Sequence, residues 1–385
     1  SNSDKYPIGL RDPTYQAGNI LAVTPGTLLL ISLMNGERDL KAIQEEFVRR
    51  TKTLVTSEDM ERLVYTLDQY YFLDSPRFHA YQRFLREEFA RSPVRAMFHA
   101  HFLGQSAEEI AQFFSRYFDT PEEPFPFSPR AVICPHIDYQ RGKRAYHAII
   151  PKLPAWDTSP IVFFLGTAHF EEKEHPFYAT RKDFETPFGI VPVAKDAVEI
   201  IAESANFPIF EGEFCHRFEH SIELILLMMK WKFPTTPFSI VPILCGSFDR
   251  YFTDKEVFLD SEDKVQSALA GMRKLVQEKK PIVFACVDFS HIGPKFGWDK
   301  PVGLSDLRAL ELYERELLSH IEKGNPRDFI SCIAQKKNAT NVDAVGAVYT
   351  LLNILPSPRF RVLHYEIAYE EASASAVSFA SLVAF

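Results

Sequence analysis

Apolar and polar positions along the chain follow two rhythms, one before and one after a proline cluster. In the first, "AVTPGTLLLISLMNGERDLKAIQEEFVRR" gives an apolar stretch, a turn at Asn35-Gly36, and a helix in which Leu40, Ile43 and Phe47 recur at helical spacing. In "TSEDMERLVYTLDQYYFLDSPR", Thr56 or Ser57 can cap a helix whose apolar face runs through Met60, Leu63, Val64 and Leu67, and "YYFLDS" reads as a short extended edge. Helix, helix, short strand is the winged-helix pattern. The second helix is acidic, so it lacks the basic recognition surface that DNA binding requires.

A charged helix, "AYQRFLREEFARS", leads into "AEEIAQFFSRYFD" and then into "TPEEPFPFSPR", where four prolines in eleven residues cannot continue a helix. Beyond it, short apolar runs ("AVIC", "PIVFFLG", "FSIVPILCG", "PIVFACVDFS") alternate with helical stretches at 141–150, 195–204, 218–231, 262–279, 304–323 and 341–354. Alternation of this kind predicts an α/β domain, a sheet flanked by helices. The last two runs, "RVLHYEIAYE" and "AVSFASLVAF", follow each other without a helix, which makes the sheet mixed. The expected division is a small winged-helix-like domain over 1–80, a helical linker over 81–125, and the α/β domain over 126–385.

Composition narrows the function classes. With 385 residues, 46% of them hydrophobic and 24% charged, the chain has ample apolar surface for a core. A formal charge of -8 argues against a phosphate-tracking surface, so no nucleic-acid partner is expected. No apolar run reaches the length of a membrane span, and the expected setting is soluble and cytoplasmic. The five cysteines, Cys134, Cys215, Cys245, Cys286 and Cys332, contain no CxxC pair and read as reduced thiols.

The candidate chemistry collects where apolar runs end, because a sheet holds such residues rigidly while loops leave room for a ligand. "AVIC" is followed by Pro135-His136-Ile137-Asp138, "PIVFFLG" by Thr167-Ala168-His169, and "PIVFACV" by Asp288-Phe289-Ser290-His291. A single such histidine is commonly a satisfied structural residue. Three in one topological position point to metal ligation or proton transfer. In "FEHSIELILLMMKWKF", Glu219, His220 and Glu223 open an otherwise apolar helix. Acids favoured by the helix dipole explain Glu219, but not the adjacent histidine. Asp288 and Ser290 equally suit capping of the next turn.

In their order, "CPHIDY", "LGTAHF", "TPFGIVPV", "EHSIELIL", "SIVPILCG", "VDFSHIG" and "TNVDAVGAVYTLLNIL" resemble the Memo family, in the form called AmmeMemoRadiSam system protein B, over roughly residues 93–385. The preceding "LMNGERDLKAI" and "LDQYYFLDS" are similar to a PqqD-like winged segment.

The resemblance implies a fold like that of the class III extradiol dioxygenases, with a non-haem metal at one rim of the sheet. It places ligands at His136, His169 and a third position where the usual Cys-Gly is here Asp343-Ala344. Two histidines and a carboxylate form the facial set of non-haem Fe(II) oxygenases, which puts iron ahead of zinc or manganese as the divalent metal. It implies His291 as acid and base, Asp288 orienting it or binding substrate, and His220 in the same cleft. Asp138, Glu219 and Glu223 are the carboxylates available to fix imidazole tautomers.

Two functions follow from the resemblance. One is a metal-dependent oxygenase or redox enzyme; the other is a non-catalytic module that receives a peptide or small molecule. A radical-SAM protein and an AMMECR-like protein are the implied partners.

Overall fold

A computed structural model of the chain describes residues 8–12, 20–156, 158–170, 174–252, 259 and 262–385, and the chain divides between Arg91 and Ser92. In the first unit, β1 (Ile8–Arg11) pairs antiparallel with β2 (Ile20–Val23), followed by α1 (Pro25–Ser32), α2 (Leu40–Thr51), α3 (Ser57–Gln69) and α4 (Pro76–Arg91). Thr56 caps α3 and Asp59 returns the bond, a reciprocal capping box. Leu30, Leu33, Ile43, Phe47 and Met60 form the small core. "YYFLDS" is a turn, not an extended edge. Tyr71 takes a left-handed φ of 65°, and Phe72 N donates to Leu67 O to close α3. The antiparallel β1–β2 pair adds to the helices that the pattern predicts.

The second unit runs through β3 (Val94–Arg95), α5 (Ala107–Tyr117), β4 (Ala131–Cys134), α6 (Tyr139–His147), β5 (Ile161–Thr167), β6 (Phe177–Ala179), β7 (Asp183–Phe184) and α7 (Lys195–Ser204). It continues with α8 (Ser221–Lys232), β8 (Ser239–Cys245), α9 (Asp263–Lys279), β9 (Ile282–Cys286), β10 (His291–Ile292), α10 (Leu304–Glu322), α11 (Pro326–Gln335), α12 (Val345–Ile354), β11 (Arg361–Glu370) and β12 (Ser375–Ala384). Helix α11 was missed in the sequence, although Asn325 caps it and Pro326 opens it. Ile110, Phe114 and Tyr117 of α5 pack into the core of this unit, so the expected linker segment is shared between the two units.

Eight strands make one mixed sheet in the order β10-β12-β4-β9-β5-β8-β6, with β11 on the other edge of β12. The centre, β4-β9-β5-β8, is parallel; β6, β10, β11 and β12 run antiparallel to their neighbours. The central strands are apolar on both faces because helices flank the sheet, and Val132, Ile133, Phe163, Phe164, Val283 and Phe284 are fully buried. Each such side chain contributes about 1.5–3 kcal/mol of burial. The register aligns Cys134 with Cys286, Cys286 with Gly166, and Thr167 with Cys245. All four parallel strands therefore end at one rim.

Candidate metal centre

Strand β9 lies between β4 and β5, so the residues following those two strands begin about two strand spacings of ~4.8 Å apart. His136 and His169 lean across the end of β9 and bring their ring centroids to 5.0 Å. His220 completes the group, 5.0 Å from the His136 ring and 4.7 Å from the His169 ring. One ring nitrogen from each lies within 4.8 Å of the others, so His136, His169 and His220 form a cluster able to hold a metal ion.

The other ring nitrogens are engaged. His136 Nδ1 donates to Cys286 O at 3.0 Å. His169 Nδ1 is 2.9 Å and His220 Nδ1 is 3.2 Å from Glu219 Oε1. With Nδ1 of each ring held this way, Nε2 is left to face a cation, the arrangement in which an outer carboxylate fixes tautomer and raises basicity. Glu219 also accepts the backbone N–H groups of His169, His220 and Ser221, so it serves the site and the start of α8 together.

Two features let Glu219 reach β5. Gly166 has no side chain; a Cβ there would lie 2.6 Å from Ser221 Oγ and 2.7 Å from Ile222 Cγ1, so α8 could not sit as close to the strand end. Arg95, 1% exposed, donates Nε to His216 O at 2.9 Å and Nη2 to Glu219 O at 2.7 Å, and pairs with Glu223. In the sequence nothing distinguishes Arg95 from a surface arginine. Glu223 is not on the imidazoles: it takes Arg95 and the backbone N–H groups of Phe98 and His99. The expectation that Glu223 tunes a ligand is replaced by a bracing role.

Asp343 comes from a loop held by asparagines in left-handed backbone, Asn338 at φ 48° and Asn341 at φ 50°. Asn338 Oδ1 accepts Val342 N, and Asp343 N donates to Phe289 O. The Asp343 carboxylate stands with Oδ2 3.2 Å from His136 Nε2 and Oδ1 3.7 Å from His169 Nε2, while Thr167 Oγ1 donates to Oδ2 at 3.0 Å. Donors sharing one ion at ~2.0–2.2 Å stand about 3–3.5 Å apart. The His136 contact falls in that range and the His169 contact lies just beyond it, so Asp343 stands beside the histidine cluster.

The remaining candidates take other positions. Asp288 Oδ1 accepts His136 N at 3.1 Å and Ile137 N at 3.2 Å, so it fixes the loop bearing His136 instead of capping the next turn or bonding the His291 ring. His291 Nδ1 faces Phe289 O and Asn341 O. Ser290 is tied through its N–H to Glu314 and Ser378. Asp138 is exposed and caps α6 through Arg141, away from the duty of holding an imidazole. A cleft of about 470 Å³ opens at the rim, lined by His169, Asp343, His291, Phe248 and Phe296 among others.

Charge follows from these contacts. Burial holds His136 and His220 below the usual imidazole value, hence neutral. Burial acts the same way on His169, but the charge and hydrogen bond of Glu219 outweigh it and raise its pKa to about 9. Glu219 and Asp343 are both lowered despite burial, chiefly by the imidazoles beside them. For Asp288 burial outweighs the pull of His291 and raises it to about 6.

A family model described as Memo-like protein matches residues 95–383. A MEMO1 family protein of Aquifex aeolicus is 25% identical over 99% of this chain and 96% of its own length. One of Thermus thermophilus is 27% identical over 90% of this chain and 99% of its own length. The Protein memo-1 homolog of Caenorhabditis elegans is 24% identical over 66% of the chain and 72% of its own length. Among the described residues, no helix is long and apolar enough to cross a membrane.

Proposed function

The chain belongs to the Memo-like family, and from that premise we propose that it is a metal-dependent oxygenase or related redox enzyme with a dioxygenase-like pocket. The observation that carries this reading is the approach of Asp343 to both His136 and His169, at 3.2 and 3.7 Å, beside an open cleft. Two imidazoles and a carboxylate suit iron(II), with zinc and manganese as the other divalent ions of matching donor preference. A bound ion would supply Lewis acidity and, if redox-active, electron transfer to oxygen.

The protein's own groups set the rest. His136 and His169 present Nε2 as ligand atoms, and Asp343 neutralises part of the cation's charge. His291 has Nδ1 turned to backbone carbonyls, so its Nε2 can give or take a proton in the cleft. His220 stacks on His169 and keeps a neutral ring beside the ligands, held by Glu219. Burial of His136 and Asp288 excludes water from the back of the site.

On the same reading the first unit is a PqqD-like winged module that presents a partner, and a radical-SAM and an AMMECR-like protein form the assembly around it. Family resemblance supports both. The test is metal analysis of protein purified under reducing, anaerobic conditions without chelator, followed by oxygen uptake. Stoichiometric metal that disappears in a His136→Ala/His169→Ala variant supports the enzyme. Protein that stays metal-free under those conditions supports a peptide- or metabolite-binding module instead.

A further inference from the structure

A second group of metal-ligating side chains lies on the helices behind the rim, and it goes beyond the function proposed above. Glu316 and His320 are four residues apart on α10, which puts them on one face, at the margin of the stripe that buries Leu317 and Ile321. Cys332 reaches the same point from α11. One ligand atom from each of the three lies within 4.8 Å of the others. His320 Nδ1 is buried without a hydrogen-bond partner, and Asp328 Oδ2 stands 3.9 Å from it, beyond hydrogen-bond reach. Buried polar atoms are normally satisfied, so an imidazole that belongs to a Glu–His–Cys group and leaves one nitrogen orphaned points to a ligand.

We infer that Glu316, His320 and Cys332 form a second cation site, selective for a thiophilic divalent ion of the zinc class. One thiolate, one imidazole and one carboxylate are a tetrahedral zinc donor set with one position left for water or Asp328. Binding takes the proton from the Cys332 thiol to solvent, and the thiolate and Glu316 carboxylate then balance the ion's two positive charges. The sulfur ligand separates this site from the rim, where the donors are nitrogen and oxygen.

The location gives the site a structural consequence. Helix α10 carries Glu314, which accepts Ser290 N beside His291, and α11 runs directly into the loop that carries Asp343. A cation joining Glu316 and His320 to Cys332 clips the helix that holds Ser290 to the helix that leads into the Asp343 loop.

Cobalt(II) tests this on the full-length, metal-free protein, because only thiolate ligation gives an intense near-ultraviolet sulfur-to-cobalt charge-transfer band. The band is expected to rise to the intensity of a single cobalt–sulfur bond, to vanish in Cys332→Ser, and to persist in Asp343→Asn. His320→Gln should keep the band and weaken cobalt binding at least about tenfold, a readout independent of how well the cysteine variant folds. No band in the unaltered protein, or a band that survives Cys332→Ser, overturns the assignment.

Discussion

Oδ2 of Asp343 lies 3.2 Å from Nε2 of His136, although one residue follows the first strand of the parallel sheet centre and the other precedes the last helix of the unit. Three separate devices bring them together. Cys286 O and the Asp288 carboxylate hold the His136 loop, Thr167 donates to Asp343, and the asparagine-rich turn before Asp343 fixes its backbone. The cation reading therefore rests on a preorganised arrangement, with each ligand restrained by a partner behind it.

Glu219→Gln removes the negative charge that holds the Nδ1 atoms of His169 and His220 while keeping the side chain's shape. The expected result is a loss of about 10–100-fold in divalent-metal affinity, measured by titration of the metal-free protein, with the fold retained.

The raised pKa of His169 has opposite consequences for metal and for stability. A ligand must be unprotonated, so affinity should climb by about tenfold per pH unit below about 9 and level off above it. In the metal-free protein the His169–Glu219 pair stabilises the fold fully below the unpaired value of 6.5, and that contribution is lost as pH rises toward about 9. Thermal melts of metal-free protein should fall across this window, and the Glu219→Gln variant should flatten the slope.

Gly166→Ala places a methyl 2.6 Å from Ser221 Oγ and forces α8 from β5. The predicted cost is about 1–3 kcal/mol of stability, read by chemical denaturation, together with weakened metal binding, because Glu219 moves with the helix start.

Arg95→Met leaves the Glu223 carboxylate buried without its cation. Breaking a buried pair on one side costs about 3–5 kcal/mol. Arg95→Met with Glu223→Gln should recover part of the lost melting temperature, which an effect confined to packing would not do.

The strand-end histidines were legible because the ends of parallel strands meet at one rim, whatever the loops do; that rule alone selects His136, His169 and His291. Asp343 was not legible from pattern. It sits in a loop whose conformation depends on left-handed asparagines and contacts with Phe289 and Asp249, and only resemblance pointed to it. Arg95 and Thr167 act through partners distant in sequence, which periodicity does not encode. Asp138 and Glu223 are carboxylates of suitable type, yet one caps α6 and the other pairs with Arg95, because an acid two or three residues from a histidine says nothing of where its oxygens turn. "YYFLDS" has the composition of a strand, but the left-handed Tyr71 closes α3, a backbone state that an aromatic residue does not advertise.

The most direct measurement is anomalous diffraction at the iron edge from crystals soaked anaerobically with Fe(II). The account predicts one strong peak at the rim, within coordination distance of His136, His169 and Asp343 together. A peak that leaves out Asp343, or no peak there at saturating iron, contradicts it.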